Sequence, residues 1–237
     1  MTGTLYLIPT PIGGPNAEAV IPAEVLAITR KLEHFVVEEL RTARRYLSSI
    51  GVERPIAELH LAELNEHTPP ETVDELIAPL LAGQSVGLMS EAGLPAVADP
   101  GALLVAAAHR HGIAVVPLVG PSSLMLTLMA SGLNGQRFAF VGYLPVKPEE
   151  RRRQLRLLEQ RSRAEGQTQL FIEAPYRNAK LLDDIVRQCA DSTLITIGCD
   201  LTLPDGFVRT LSVAQWRGLP ELPSINKRNT VFALLAM

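Results

Sequence analysis

Short apolar runs alternate along the chain with longer stretches in which apolar residues recur at helical spacing, and glycine or proline closes many of the short runs. This is the pattern of strands exchanging with amphipathic helices in an α/β fold. It predicts a first strand over Thr4 to Ile8, which runs into Pro9-Thr10-Pro11-Ile12-Gly13-Gly14. Such a segment neither continues a central strand nor starts a helix cleanly. A helix is expected over Pro22 to Arg30, a strand over Phe35 to Val37 closed by Glu38 and Glu39, and a helix over Arg41 to Ile50. Pro70 to Ala82 reads as a helix stopped by Gly83, Ser85 to Met89 as a strand, Ala102 to His111 as a helix and Ala114 to Val119 as a strand.

A second cycle follows. Helices are expected over Ser122 to Ser131, Glu149 to Ala164 and Asn178 to Cys189. Extended segments are expected over Phe138 to Tyr143, Gln169 to Ile172, Leu194 to Cys199, Phe207 to Leu211 and Thr230 to Leu235. The natural break lies near Leu118 to Gly120, giving an N-terminal α/β domain over 1–118 and a C-terminal α/β domain over 119–237. A chain of 237 residues, 47% hydrophobic, has material for two cores.

Charge narrows the choice of partner. A formal charge of −3 argues against a globally basic coat for nucleic acid, but a local patch remains open. Arg41, Arg44 and Arg45 cluster on one expected helix, and Arg151, Arg152, Arg153 and Arg156 on another. Each cluster reads either as a phosphate contact or as a solvated helix face. Cys189 and Cys199 lack the close pairing of a zinc knuckle or redox motif and read as reduced thiols. No signal peptide or membrane span is evident, so a cytoplasmic protein is expected.

The candidate chemistry lies in loops. Three strands end in segments rich in glycine and proline: 9–14, 90–101 and 120–123. Ligands of open α/β sheets sit outside the carboxyl ends of strands, where glycine lets the backbone approach closely. No phosphate-binding G-x-x-x-x-G-K-[ST] loop, dinucleotide fingerprint or G-x-S-x-G elbow is present. The histidines have no metal-like arrangement, and no metal is expected. His109 and His111 close a helix, His34 precedes a strand, and His60 and His67 flank Asn65-Glu66 near a helix entry. Glu39, Glu38 and Glu91 follow strands at the expected cleft edge. Each is a candidate general base, or else a loop cap or partner of Arg41, Arg44 or Arg45; Glu39 is the first choice.

Five ordered motifs resemble the ribosomal-RNA-modifying branch of the tetrapyrrole methylase superfamily. They are Gly3 to Gly13, Ser90 to Gly101, Val116 to Ser123, Ser131-Gly132-Leu133 with Arg137 to Pro145, and Glu173-Ala174-Pro175-Tyr176-Arg177. The resemblance covers essentially the whole chain. It implies two α/β domains with S-adenosylmethionine in a cleft between them, and a homodimer. Carried over by motif, the cofactor contacts include Pro11, Gly13, Gly93, Leu94, Pro95, Val97, Ser122 and Ser123. Ile172 and Cys199 end strands that resemble adenine-side segments, and Asn229 and Thr230 begin the last strand.

The resemblance further implies a methyltransferase that processes ribosomal RNA by 2'-O-methylation of a cytidine ribose in 16S RNA of the small subunit. The chain departs from that branch at two charged segments. Its E-D-T-R motif corresponds here to Glu38-Glu39-Leu40-Arg41, and its R-E-L-T-K segment to Cys199-Asp200-Leu201-Thr202-Leu203. The alternatives are methylation of a tetrapyrrole or other small molecule, and a non-catalytic cofactor-binding regulatory protein.

Overall fold

The computed structural model describes residues 2–14 and 16–237, with Pro70 described in its backbone alone. The chain divides into two compact units, Met1–Ser122 and Ser123–Met237.

The first unit contains the strands β1 (Thr4–Leu7), β2 (His34–Val37), β3 (His60–Glu63), β4 (Val86–Met89) and β5 (Ala114–Pro117). They form one sheet in the order β3-β2-β4-β1-β5, and every pairing is parallel. Parallel neighbours need crossover helices. These are α1 (Ala23–Lys31), α2 (Leu40–Ile50), α3 (Val73–Leu81) and α4 (Ala102–Arg110).

The helices cover both faces. Val73, Leu76, Ile77, Leu80, Leu104 and Ala107 join Leu5, Val36 and Leu88 in one core. Val25, Leu26, Ala43, Leu47 and Ile50 join Ile8, Phe35, Val37 and Met89 in another. Burial on both sides explains why β4 is apolar at every position: Val86, Leu88 and Met89 are all buried. The strand order reverses around β4 and β1, so a crevice is expected beyond their carboxyl ends.

The second unit contains β6 (Phe138–Tyr143), β7 (Thr168–Ile172), β8 (Leu194–Cys199), β9 (Phe207–Ser212) and β10 (Thr230–Leu235), in the order β6-β7-β10-β8-β9. Only the β6–β7 pairing is parallel; the other three are antiparallel. Helices α6 (Pro148–Glu165), α7 (Asn178–Gln188) and α8 (Val213–Arg217) contribute to a core with Leu155, Leu181, Ile185, Phe232 and Trp216. Helix α5 (Ser123–Ser131) places Leu124 and Leu128 against Leu170, Val231 and Ala233 in a separate cluster.

Several elements differ from expectation. Strand β3 and helix α8 have no counterpart in the sequence reading. The expected helix over Pro70 to Ala82 is a 3₁₀ turn at Pro70–Thr72 followed by α3. The Arg151 cluster is also not a uniform solvated face. Arg151 is 2% exposed, and its Nε and Nη2 donate to Asp184 Oδ2 at 2.9 and 2.5 Å. Its Nη1 donates to the Val146 carbonyl, and Arg152 reaches Asp184 Oδ1 at 3.1 Å. These two arginines hold α6 to α7, and only Arg153 and Arg156 of the cluster are exposed.

Candidate functional site

The three glycine- and proline-rich loops converge within the first unit. Thr10 and Gly93 exchange backbone hydrogen bonds at 2.9 and 3.1 Å, tying the loop after β1 to the loop after β4. Gly93 has φ +80°, and a Cβ there would lie 3.3 Å from Ile12 Cγ2 and 3.7 Å from the Pro121 carbonyl. A Cβ on Gly120 would collide with Pro9 Cβ at 2.1 Å. Glycine is therefore required at 120 by the close approach of the loops that follow β1 and β5.

Beside this junction is a pocket of about 340 Å³, lined by residues that include Thr10, Pro11, Gly14, Glu38, Glu39, Arg45, Tyr46, Met89, Ser90 and Glu91. It lies past the carboxyl ends of β1, β2 and β4, at the strand-order reversal. The pocket collects all three carboxylates singled out in the sequence, but their environments differ. Glu39 is the N-cap of α2: its side chain accepts from Arg41 N at 2.9 Å and Thr42 N at 2.5 Å. These amides hold its carboxyl below the ordinary range. The preferred base of the sequence reading is thus an occupied helix cap, and a carboxylate so stabilised is a weaker proton acceptor.

Glu38 Oε2 accepts from the Glu91 backbone amide at 3.0 Å, and Glu91 Oε1 accepts from Thr42 Oγ1 at 2.9 Å. Both are thereby fixed across the gap between the loops after β2 and β4. Ser90 lines the same pocket; it is 4% exposed and its hydroxyl has no hydrogen-bond partner.

One acid was missed as a candidate although its motif was noticed. Asp99, in Asp99-Pro100-Gly101, has its carboxyl pushed up to about 6, first by burial and then by the negative charge of Glu38, with Glu91 adding to it. The Ser90 hydroxyl beside it acts in the opposite direction. The available signal was the strand-loop position of the motif; the neighbours that perturb Asp99 come from distant sequence.

The remaining candidates are distributed as follows. Pro11 lines the pocket, Gly13 is half-buried in the same loop, and Gly93 sits at the loop junction. Both backbone polar groups of Gly93 are used by Thr10, so any contribution to a ligand comes from its missing side chain. Pro95 is buried, Leu94 half-buried and Val97 exposed. Ser122 closes the first unit and Ser123 opens α5 of the second.

In the second unit, Thr230 pairs with Cys199, and Val231 pairs with Ile172, so the three candidates there share one end of the sheet. Cys199 is fully buried, with Thr230 Oγ1 3.6 Å from its sulfur, and burial pushes its thiol up. Any ligand contact from Cys199 would have to use its backbone. In the departed segment, Asp200 is held by Arg228 Nε at 2.6 Å and by Asn229 N at 2.9 Å.

Among the described residues, Arg41, Arg44 and Arg45 are exposed and form no ion pair, unlike Arg151 and Arg152. Also among the described residues, no helix is long and apolar enough to cross a membrane.

A parallel sheet with ligand loops gathered at its strand-order reversal defines an α/β ligand-binding protein. The model for the Tetrapyrrole (Corrin/Porphyrin) Methylases matches residues 4–215. The chain is 35% identical to the ribosomal RNA small subunit methyltransferase I of Xylella fastidiosa, over 88% of this chain and 74% of the relative. It is 32% identical to the protein of that name from Pseudomonas aeruginosa, over 99% and 79%. The identity to the one from Mesorhizobium japonicum is 39%, over 87% and 66%. Among solved structures, the methyltransferase CobJ has a TM-score of 0.64 at 18% identity, covering 99% of this chain and 95% of that one. The uroporphyrin-III-C-methyltransferase of Thermus thermophilus has a TM-score of 0.55 at 19% identity, covering 98% and 94%. The chain belongs to the tetrapyrrole methylase family, whose members are S-adenosylmethionine-dependent methyltransferases, and is itself a methyltransferase.

Proposed function

We propose that the protein transfers a methyl group from S-adenosylmethionine to the 2'-hydroxyl of a cytidine ribose in 16S ribosomal RNA, acting on the small ribosomal subunit in the cytoplasm. The observation that carries this reading is the junction of loops at Thr10, Gly93 and Gly120 beside a pocket flanked by exposed arginines. The identities to small-subunit methyltransferases support the same reading.

Pro11, Gly13, Gly93, Leu94, Pro95, Val97 and Ser122 are proposed as cofactor contacts of the first unit. Ser123, Ile172, Cys199 and Thr230 are proposed as those of the second. When bound, the cofactor supplies an electrophilic methyl group on a sulfonium leaving group, so positioning contributes much of the catalysis. The residues of this chain orient the acceptor, exclude water and remove its proton. Arg41, Arg44 and Arg45 are proposed to meet RNA phosphates, for which exposed guanidinium groups without internal partners are suited.

Methylation of a tetrapyrrole is disfavoured by electrostatics. Glu38, Glu39 and Glu91 line the pocket, and they would repel the carboxylates of a uroporphyrin-like substrate. A homodimer is also proposed; exposed Met129, Phe138, Val146 and Tyr176 give the second unit apolar surface for it.

The deciding measurement is transfer of labelled methyl groups to small subunits isolated from a strain lacking the enzyme. Incorporation at a cytidine ribose, weakening steeply with salt, is expected. Calorimetric binding of the cofactor without incorporation into RNA would instead favour the regulatory alternative.

A further inference from the structure

We propose that Glu38 and Glu91 select cytosine over uracil at the target nucleotide by accepting hydrogen bonds from its exocyclic amine, while Arg45 meets the adjoining phosphate. The inference rests on the methyl-transfer reading above and deepens it by naming the groups that tell one base from the other.

The pocket is built with its charges divided. Glu38 and Glu91 line it from the segments after β2 and β4, and Arg45 lines it from α2. Thr42, Arg45, Tyr46 and Ser49 recur at the spacing of one helix face, and all four line the pocket. Val37, Ala43 and Met89 add apolar wall. A space of about 340 Å³ with carboxylates, a guanidinium and apolar wall suits a nucleotide, which carries an amine, a phosphate and a flat base.

The carboxylates can meet only part of such a ligand. Like charge keeps them from the phosphate, and an ionised carboxylate accepts hydrogen bonds without donating any. On a pyrimidine the matching donor is the amine of cytosine, where uracil carries a carbonyl oxygen. The ribose hydroxyl is the same in both nucleotides, so it cannot discriminate between them.

The hydrogen bonds already made decide which glutamates are available. Glu39 spends both carboxylate oxygens on the first amides of α2. Glu38 uses Oε2 for the Glu91 amide, and Glu91 uses Oε1 for the Thr42 hydroxyl. Among the described residues, Glu38 Oε1 and Glu91 Oε2 accept no hydrogen bond. Each of these two side chains is thus held by one oxygen and offers the other. The bond between them spans the loops after β2 and β4 and fixes both acceptors together, and the amine has two hydrogens to give.

The test compares small subunits carrying cytidine or uridine at the target position and reads kcat/KM for methyl transfer to each. The wild type is expected to favour cytidine by roughly 10–100-fold. Glutamine keeps an oxygen for the structural bond and turns the other into a donor. Glu38→Gln and Glu91→Gln are therefore expected to abolish or reverse the preference, with Tm close to that of the wild type. A merely structural role would lower both rates together and leave their ratio in place. Arg45→Gln is expected to weaken both substrates alike, as loss of a phosphate contact does. Where turnover is too slow to time, the ratio is read from the affinities for the two kinds of subunit. A wild type that methylates both equally, or a ratio unmoved in both glutamine variants, overturns the assignment while methyl transfer to RNA stands. A wild type that binds cofactor but methylates no RNA overturns the functional reading, and this inference with it.

Discussion

The two arginine groups look alike in sequence and end in opposite roles. Arg41, Arg44 and Arg45 stand exposed on α2 of the first unit, with no ion pair among the described residues. Arg151 of the second unit is buried and satisfied by Asp184 and the Val146 carbonyl. The difference lies in what faces each helix. Helix α2 begins beside the pocket and shows its charged side to solvent. Helix α6 packs on α7, which brings Asp184 to Arg151 from 33 residues away. A cluster of positive charge thus becomes a candidate binding surface only where no acid arrives to neutralise it.

The largest effect that would test this contrast is in the second unit. Asp184→Ala leaves a guanidinium buried without its partner and is expected to cost about 3–5 kcal/mol, read by urea unfolding. A near-neutral outcome would remove the structural role given to the pair. Next is Gly93→Ala, which places a side chain at φ +80° and close to Ile12. It is expected to cost about 1–2 kcal/mol and to weaken calorimetric cofactor binding. Gly135→Ala serves as the reference, since a Cβ there meets nothing within 4 Å.

Asp99 gives an effect whose size depends on pH. Its folded-state value, about 6, lies above its ordinary value of 3.8. Its contribution is therefore fully present below pH 3.8 and is lost as pH rises through about 6, because the folded protein must then hold an ionised, desolvated acid. Asp99→Asn is expected to raise Tm relative to the wild type at pH 8 and to leave it nearly unchanged at pH 4. An unaltered difference across that range would refute the perturbed environment.

The smallest effect on stability is expected from replacing Arg41, Arg44 and Arg45 together by alanine, within about 0.5 kcal/mol per site. The same triple variant should reduce the slope of log affinity for RNA against log salt by roughly 0.7–0.9 for each phosphate left without its arginine. Exposed Arg153 and Arg156 provide the matched pair. If their removal changes the salt slope as much, α2 has no special claim on RNA.

Much of this arrangement is legible in the chain. The strand-ending loops at Pro9, Ser90 and Gly120 announce a site, because glycine and proline act locally on the backbone. What escapes depends on distant partners or weak local preference. His60-Leu61-Ala62-Glu63 has no β-branched residue; it becomes β3 by pairing with β2 at the edge of the sheet. Helix α8 carries a readable capping box at Ser212 and Gln215, but it is short and follows β9 directly. Glu39 has a local role as a cap, whereas Asp99 is perturbed by Glu38 and Glu91 from other loops.

The position of β10 also has a consequence for synthesis. The sheet of the first unit has all its strands once Pro117 has been added. In the second unit, β10 lies between β7 and β8 and joins them. Until Leu235 clears the ribosomal exit tunnel, the parallel pair β6–β7 with its crossover helix α6 and the antiparallel pair β8–β9 are two separate fragments, each with a strand edge still unpaired. The first unit therefore ripens during translation, whereas the second is held immature to its last strand. That interval is when a nascent chain has greatest need of a chaperone.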